Sequence, residues 1–303
     1  MTMKIAVLFI IAACATAREL PSDSSATPIK VADVPHFCEG AVFDRSGTLY
    51  ISDVIGGIVY AVAPHGKLTP WAKTGEPNGH KVLPDGTHLL CDGSRHAVLH
   101  LAADGSLLGI AAGASDGKPL KTPNDLTLDG HGGFYFSDPG DSWAQNPTGT
   151  VHYVDSTGAV HPVLEGLAYP NGLVLRPDGQ TLLLSESANN RILAFTVARP
   201  GKLEGKRVFA LLPYAGDKNT LVLPDGMCLD GGGNLYVAHF GLGKIEVLDP
   251  QGKILRRYEA GNMTCSNVVF GGPDKDNLYV TGALQDRSSA GALFRLDLGK
   301  GQP

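Results

Sequence analysis

Six short phrases of this chain place an oxygen-bearing side chain at the same point. They are Cys38-Glu39-Gly40, Pro77-Asn78-Gly79, Pro123-Asn124-Asp125, Pro170-Asn171-Gly172, Pro224-Asp225-Gly226 and Cys265-Ser266-Asn267. Two carboxylates (Glu39, Asp225) and the carboxamides of Asn78, Asn124 and Asn171, brought together, make a site for a hard divalent cation, with water and substrate oxygens completing the coordination. Asn-Gly and Asp-Gly are also common turn dipeptides, so any one phrase alone reads as a turn. An oxygen in the same slot of all six is more than turn formation requires. Oxygen donors suit calcium by hardness and leave zinc and manganese open.

For these residues to meet, the chain must bring six equivalent elements to one place, and a second repeat shows how. After each phrase comes a stretch close to Gly-x-Leu-Tyr-x-Ser-Asp: Gly47 to Asp53, Gly86 to Asp92, Gly133 to Asp138, Thr181 to Glu186, Gly233 to His239 and Asp276 to Thr281. Six copies at a spacing of roughly 40 to 50 residues predict an all-β, six-bladed β-propeller. Within a repeat, period-two apolar alternation is punctuated by Asp-Gly or Asp-x-x-Gly, which means antiparallel hairpins. In the third repeat the pattern reads Pro123 to Asp129, a turn at Gly130 to Gly133, Phe134 to Asp138, then Thr150 to Asp155. If each phrase opens the innermost strand of its blade, Glu39, Asn78, Asn124, Asn171, Asp225 and Ser266 converge at one mouth of the central channel. The last repeat runs out at Lys300 to Pro303 before an outer strand of its own. A segment around Ile29 to Ala32 is therefore expected to close the ring and remove the open sheet edges.

The phrases Glu39-Gly40, Thr122-Pro123-Asn124-Asp125, Tyr135-Phe136-Ser137-Asp138-Pro139, Pro170-Asn171-Gly172-Leu173 with Pro177-Asp178-Gly179, Pro224-Asp225-Gly226 and Asn267 to Gly272 resemble those of the gluconolactonase/SMP-30 family of propellers. The resemblance covers nearly all of residues 35 to 296. It implies a calcium or zinc ion held by Glu39, Asn171 and Asp225, with Asn124 on the substrate side or completing the coordination. It also implies hydrolysis of a small-molecule lactone, or in some members of an organophosphate ester. The cation would act as Lewis acid on the ring carbonyl. Asp225 is the candidate catalytic residue, orienting or deprotonating the attacking water, because Glu39 is committed to the ion. Asn78, His80, Asp138 and His239 are further polar candidates for substrate contact, although a lone His near a strand end is as often structural. Animal sugar-lactone hydrolases place an arginine two residues before the blade-three Asn, and here that place holds Thr122. A non-catalytic ligand-binding propeller with a structural ion is the alternative from another class.

Composition agrees with many short strands joined by tight turns: 39 Gly, 20 Pro and 18% charged residues in 303. A net charge of -5 gives no basic footprint for nucleic acid. Met1 to Ala17 joins Lys4, an apolar run from Ile5 to Ala13 and the small-x-small site Ala15-Thr16-Ala17, which predicts a signal peptide over 1–17 and an exported protein, secreted or periplasmic. The run is too short to span a bilayer. Ile11-Ala12-Ala13-Cys14 also fits a lipoprotein box, with a lipid on Cys14. Residues 18–28 read as a flexible leader, and 29–303 as one propeller domain. Cys38, Cys91, Cys228 and Cys265 read as small buried hydrophobes, Cys38 with Cys265 being the pair placed to bridge if any does. Loops Pro139 to Thr148 and Tyr214 to Leu223 are expected over the mouth, with Trp143 as a wall. Gly113-Ala114-Ser115-Asp116-Gly117 matches Gly-x-Ser-x-Gly but lacks the strand before and helix after that a nucleophile elbow needs.

Overall fold

The computed structural model describes residues 20–214, 220–272 and 275–299. The signal-peptide and Cys14 expectations lie outside these residues. Six four-stranded antiparallel sheets follow one another around a ring. Their innermost strands are Cys38–Phe43, Pro77–Val82, Leu126–Leu128, Pro170–Leu175, Leu223–Leu229 and Thr264–Gly271. The next strands outward, Leu49–Asp53, His88–Asp92, Phe134–Asp138, Thr181–Glu186, Leu235–Phe240 and Asn277–Ala283, are the recurrent Leu-Tyr phrases. In blade six the outer place is taken by the N-terminal strand Ile29–Val34, antiparallel to Gly291–Asp297. The ring is thus closed from the N-terminal side, as the missing outer strand required.

The core is six radial slabs, one between each pair of neighbouring blades. Leu89 and Cys91 pack with Leu126, Phe134 and Phe136 of blade three. Leu90, between them in sequence, turns the other way to Val42, Tyr50 and Val59 of blade one. A strand buried on both faces carries consecutive apolar residues until it reaches the polar mouth, which is why these second strands lack polar alternation over Leu89 to Cys91 and their counterparts. The Asp-x-x-Gly turns have an equally local cause. In the first, Asp44 Oδ1 accepts from the Thr48 amide (2.8 Å) and the Ser46 hydroxyl (2.7 Å), while Gly47 takes a positive φ of 88°.

Residues 20–28, expected as a flexible leader, lie against blades five and six. Leu20 and Ala26 are buried there, and the Pro21 carbonyl accepts from the Tyr258 hydroxyl (2.9 Å) and Arg256 Nε (3.2 Å). Two small apolar groups and one carbonyl give this polar stretch contacts that its composition does not announce. The four described cysteines are free, so Cys38 and Cys265 form no bridge. Burial pushes the Cys38 thiol up to about 12, and its Sγ–H donates to the Gly282 carbonyl at 3.3 Å. No helix among the described residues is long and apolar enough to cross a membrane.

Candidate metal and substrate site

At the mouth, five of the six innermost strands begin with a break in register, the exception being Leu126–Leu128 of blade three: between Glu39 and Val42, Pro77 and His80, Pro170 and Leu173, Pro224 and Met227, and Cys265 and Val268. The Asn-Gly and Asp-Gly pairs are thus bulges in strands, not hairpin turns. Hydroxyls then tie blade to blade. Ser52 Oγ donates to the Asn78 carbonyl and Ser185 Oγ to the Asp225 carbonyl, both at 2.8 Å. Ser266 Oγ donates to the Cys38 carbonyl at 2.6 Å, across the closure. Ser52 and Ser185 of the second strands therefore fix the backbone of the next blade's mouth residue, whereas Ser137 bonds Asp125 within its own blade, and Ser266 is spent on closing the ring.

The acid that ends the same phrase latches the incoming loop. Asp138, 1% exposed, accepts the amides of Thr122 (2.6 Å) and Lys121 (2.9 Å), the residues leading into Asn124. Asp92 does the same for Gly75 (2.7 Å) and Glu76 (3.0 Å), ahead of Asn78. Asp138, read as a substrate contact, instead positions the residues that carry Asn124.

Glu39, Asn124, Asn171 and Asp225 are buried, at 3%, 9%, 5% and 6% exposure. The Asn171 side chain opposes the upward shift of Asp225, and the Asn267 side chain that of Glu39. Burial first, then the charge of Asp125, pushes Glu39 up to about 8. Burial, then Glu39, then Asp125 hold Asp225 well above the usual carboxylate range. Burial likewise raises Asp125, with Lys81 opposing it. None of these three carboxylates has a basic nitrogen within 4.0 Å among the described residues. Buried, mutually repelling carboxylates without an ion-pair partner are what a cation between them would relieve. No cluster of three or more His, Cys, Asp or Glu is assembled among the described residues. The donors at the mouth are instead two carboxylates with carboxamides, an all-oxygen set that fits a hard divalent cation.

Beside them opens a cavity of about 510 Å³ lined by Asn78, Thr122, Asn124, Trp143, Tyr169 and Arg287, among others. Trp143 meets Tyr169 edge to face at 5.6 Å, so the loop between the second and third strands of blade three does wall the mouth. A larger cavity, about 1210 Å³, lies on residues such as Phe43, Val82, Leu128 and Phe270, at the far ends of innermost strands and away from the mouth residues.

His80 and His239, read as ligand contacts, lie elsewhere. His80 is 1% exposed, bonded to His88 Nδ1 at 2.9 Å and stacked on Trp71 between blades one and two. His239 is fully buried between Asn190 Oδ1 (2.9 Å) and Glu246 Oε1 (3.2 Å). The bulge explains the misreading of His80: the register break after Pro77 returns it to the blade face instead of the channel. Asp125, Asn267 and Arg287 join the mouth without having been singled out as site residues. Asp125 and Asn267 were legible as the two departures from Gly in the position after the mouth residue. Arg287 carries no such signal.

Ser115 stands on a two-residue strand, Ala114–Ser115, paired with Lys118–Pro119, so it occupies no elbow. Its Oγ nevertheless meets His152 Nδ1 at 2.9 Å. His152 Nε2 bonds Thr150 Oγ1 at 2.8 Å and stays 3.6 Å from Asp138 Oδ2. The serine is buried, lies outside the mouth cavity, and its histidine is oriented by Thr150 instead of the acid. Ser115→Ala is accordingly expected to hold kcat/KM for any lactone within roughly threefold, measured on the metal-loaded protein. A loss on the order of a hundredfold would overturn that reading.

A six-bladed ring with an acidic, carboxamide-lined mouth and a neighbouring cavity defines a β-propeller with a polar ligand site at one end of its channel. The chain belongs to the SMP-30/gluconolactonase/LRE-like family, whose pattern it matches over residues 37–284. It is 30% identical over 229 residues to the lactonase drp35 of Staphylococcus aureus, which covers 71% of this chain and 67% of that protein. Its fold is similar to that of a gluconolactonase from Xanthomonas campestris (TM-score 0.77, 27% identity, covering 92% of this chain and 91% of the other). A luciferin-regenerating enzyme shares the fold at TM-score 0.77 with 21% identity, covering 91% and 97% of the two chains.

Proposed function

We propose that this protein is a metal-dependent lactone hydrolase whose cation is held by Glu39, Asn171 and Asp225, with Asn124 at the substrate side. The observation that carries the reading is the meeting of two buried, unpaired carboxylates at a mouth that opens into a cavity of substrate size. The lactonase and gluconolactonase relatives support the reaction class. When bound, the cation supplies Lewis-acid polarisation of the ring carbonyl and of the oxyanion that follows.

The chain's own residues do the rest. Asn124 and Asn78 offer amide donors and acceptors to the lactone's oxygens from adjacent blades, positioned by the Asp138 and Asp92 latches. Trp143 and Tyr169 cover one side and exclude bulk water. Asp225 orients the attacking water and accepts its proton as the new C–O bond forms. That proton goes to the ring oxygen as the ring C–O bond breaks, so the product is the open hydroxy acid and Asp225 is regenerated. Export with cleavage after Ala17 belongs to the same proposal.

The test is a panel of five- and six-membered lactones, given to protein stripped with EDTA and resupplied separately with calcium, zinc or manganese. Turnover is expected to vanish with EDTA and return with one ion, calcium foremost by donor hardness. Turnover indifferent to EDTA would remove the cation from the reaction. Absence of turnover despite tight ion binding would favour a binding propeller.

A further inference from the structure

Arg287 sits on the loop between the second and third strands of blade six and lines the mouth cavity. Its charge acts on Glu39, Asp225 and Tyr169, so the guanidinium faces the same mouth as the proposed cation. Its head lies 5.3 Å above the ring of Phe37, itself buried and packed edge-on against Phe240 at 6.2 Å. A cation stacked on a buried ring is held in place without using its donors. No carboxylate lies within 4.0 Å of it among the described residues, although the exposed Glu76 and Asp141 line the same cavity. It is also the one basic residue among the described lining.

The guanidinium of Arg287, on an exposed loop yet stacked on the buried Phe37 ring beside the polar cavity, presents a planar fork of N–H donors that matches a carboxylate in bidentate geometry. With Glu39 and Asp225 turned to a divalent cation, Arg287 remains as the positive wall of the cavity. We propose that Arg287 is a specificity-determining residue that binds a carboxylate on the non-reacting side of the lactone, so that carboxylate-bearing lactones are the preferred substrates. This rests on the lactonase reading above.

The experiment compares three lactones with a common five-membered ring: 5-oxotetrahydrofuran-2-carboxylate, its hydroxymethyl counterpart and γ-valerolactone. Metal-loaded wild type is expected to favour the carboxylate over the methyl compound by about 10- to 100-fold in kcat/KM, chiefly through KM. In Arg287→Gln that ratio should fall near one, and Arg287→Lys should restore part of it. An unchanged ratio in Arg287→Gln overturns the proposal, as does an equal or greater preference for the hydroxymethyl compound. Calorimetric binding of the non-hydrolysable lactam 5-oxopyrrolidine-2-carboxylate separates this from the lactonase reading. Binding by wild type that Arg287→Gln abolishes supports the carboxylate site even where no lactone turns over. Failure of wild type to bind the lactam while it hydrolyses the neutral lactones overturns the site and leaves the lactonase standing.

Discussion

Asp225→Asn is expected to lower lactone turnover by a factor on the order of a thousand, and at the same time to raise the melting temperature of the metal-free protein. The two effects have one cause. Asp225 and Glu39 are buried, repel one another, and have Asp125 as a third negative neighbour. Removing one charge relieves the repulsion by about 1–3 kcal/mol, or about 2–6 °C in a protein of this size. The same change takes away a ligand of the cation and the acceptor of the water's proton. Loading wild type with its cation should raise Tm, and Asp225→Asn should lose most of that rise.

The pH dependence carries a sign that distinguishes this from a generic destabilisation. Glu39 has an unfolded value near 4.5 and a folded value of about 8. The fold therefore favours its protonated form, and that contribution is complete below about 4.5 and is lost as pH rises through 8. Asp225 is shifted in the same direction. In EDTA, wild-type Tm should thus fall between about pH 4.5 and 8, and Glu39→Gln should flatten the fall. The stabilisation by cation must grow over the same window, because the cation takes the deprotonated forms. A metal-free Tm that is level across this range, measured by scanning calorimetry, would count against buried, uncompensated carboxylates at the mouth.

How much of this was written in the chain depends on the range over which each feature is determined. The second strands read clearly because burial on both faces makes Leu89, Leu90 and Cys91 apolar in a row, a local signal repeated six times. The closing strand followed from counting, since blade six had no residues left for its own edge. Glu39, Asn171 and Asp225 stand out only through the slot they share across the repeats, since each alone reads as a turn residue. His80 was misplaced because a bulge shifts the face of every following residue, and Asn-Gly does not announce which of its two roles it plays; His239, near the end of a second strand, is instead enclosed between Asn190 and Glu246. Arg287 reaches the mouth from a loop outside the repeat, so periodicity has nothing to say about it. Nor does composition reveal that Leu20 and Ala26 find cover on blades five and six.

The glycine that follows four of the six mouth residues supplies the second large effect. A Cβ built on Gly172 would stand 2.3 Å from the Asp225 carbonyl oxygen and 2.7 Å from Gly226 Cα. That carbonyl is the one Ser185 Oγ holds at 2.8 Å. Both obstacles are backbone, so no side chain can swing away, and blades four and five would have to part where Asn171 and Asp225 face the cation. Overpacking against fixed backbone costs about 1–3 kcal/mol or more. Gly172→Ala is therefore expected to lower Tm by about 2–6 °C or more and turnover by at least about tenfold, with cation affinity weakened in step. Gly179 is the control: it has a φ of 70° in a turn, and its Cβ would meet nothing within 4 Å. Alanine there pays only for the left-handed backbone, about 1 kcal/mol, and should leave cation affinity and turnover untouched. If the two substitutions prove equal in Tm and in cation binding, close approach of the innermost strands is not what the repeated glycine provides. A loss confined to Gly172→Ala would mean that the spacing of the backbone at the mouth, set by the absence of one methyl group, holds the two ligands in register.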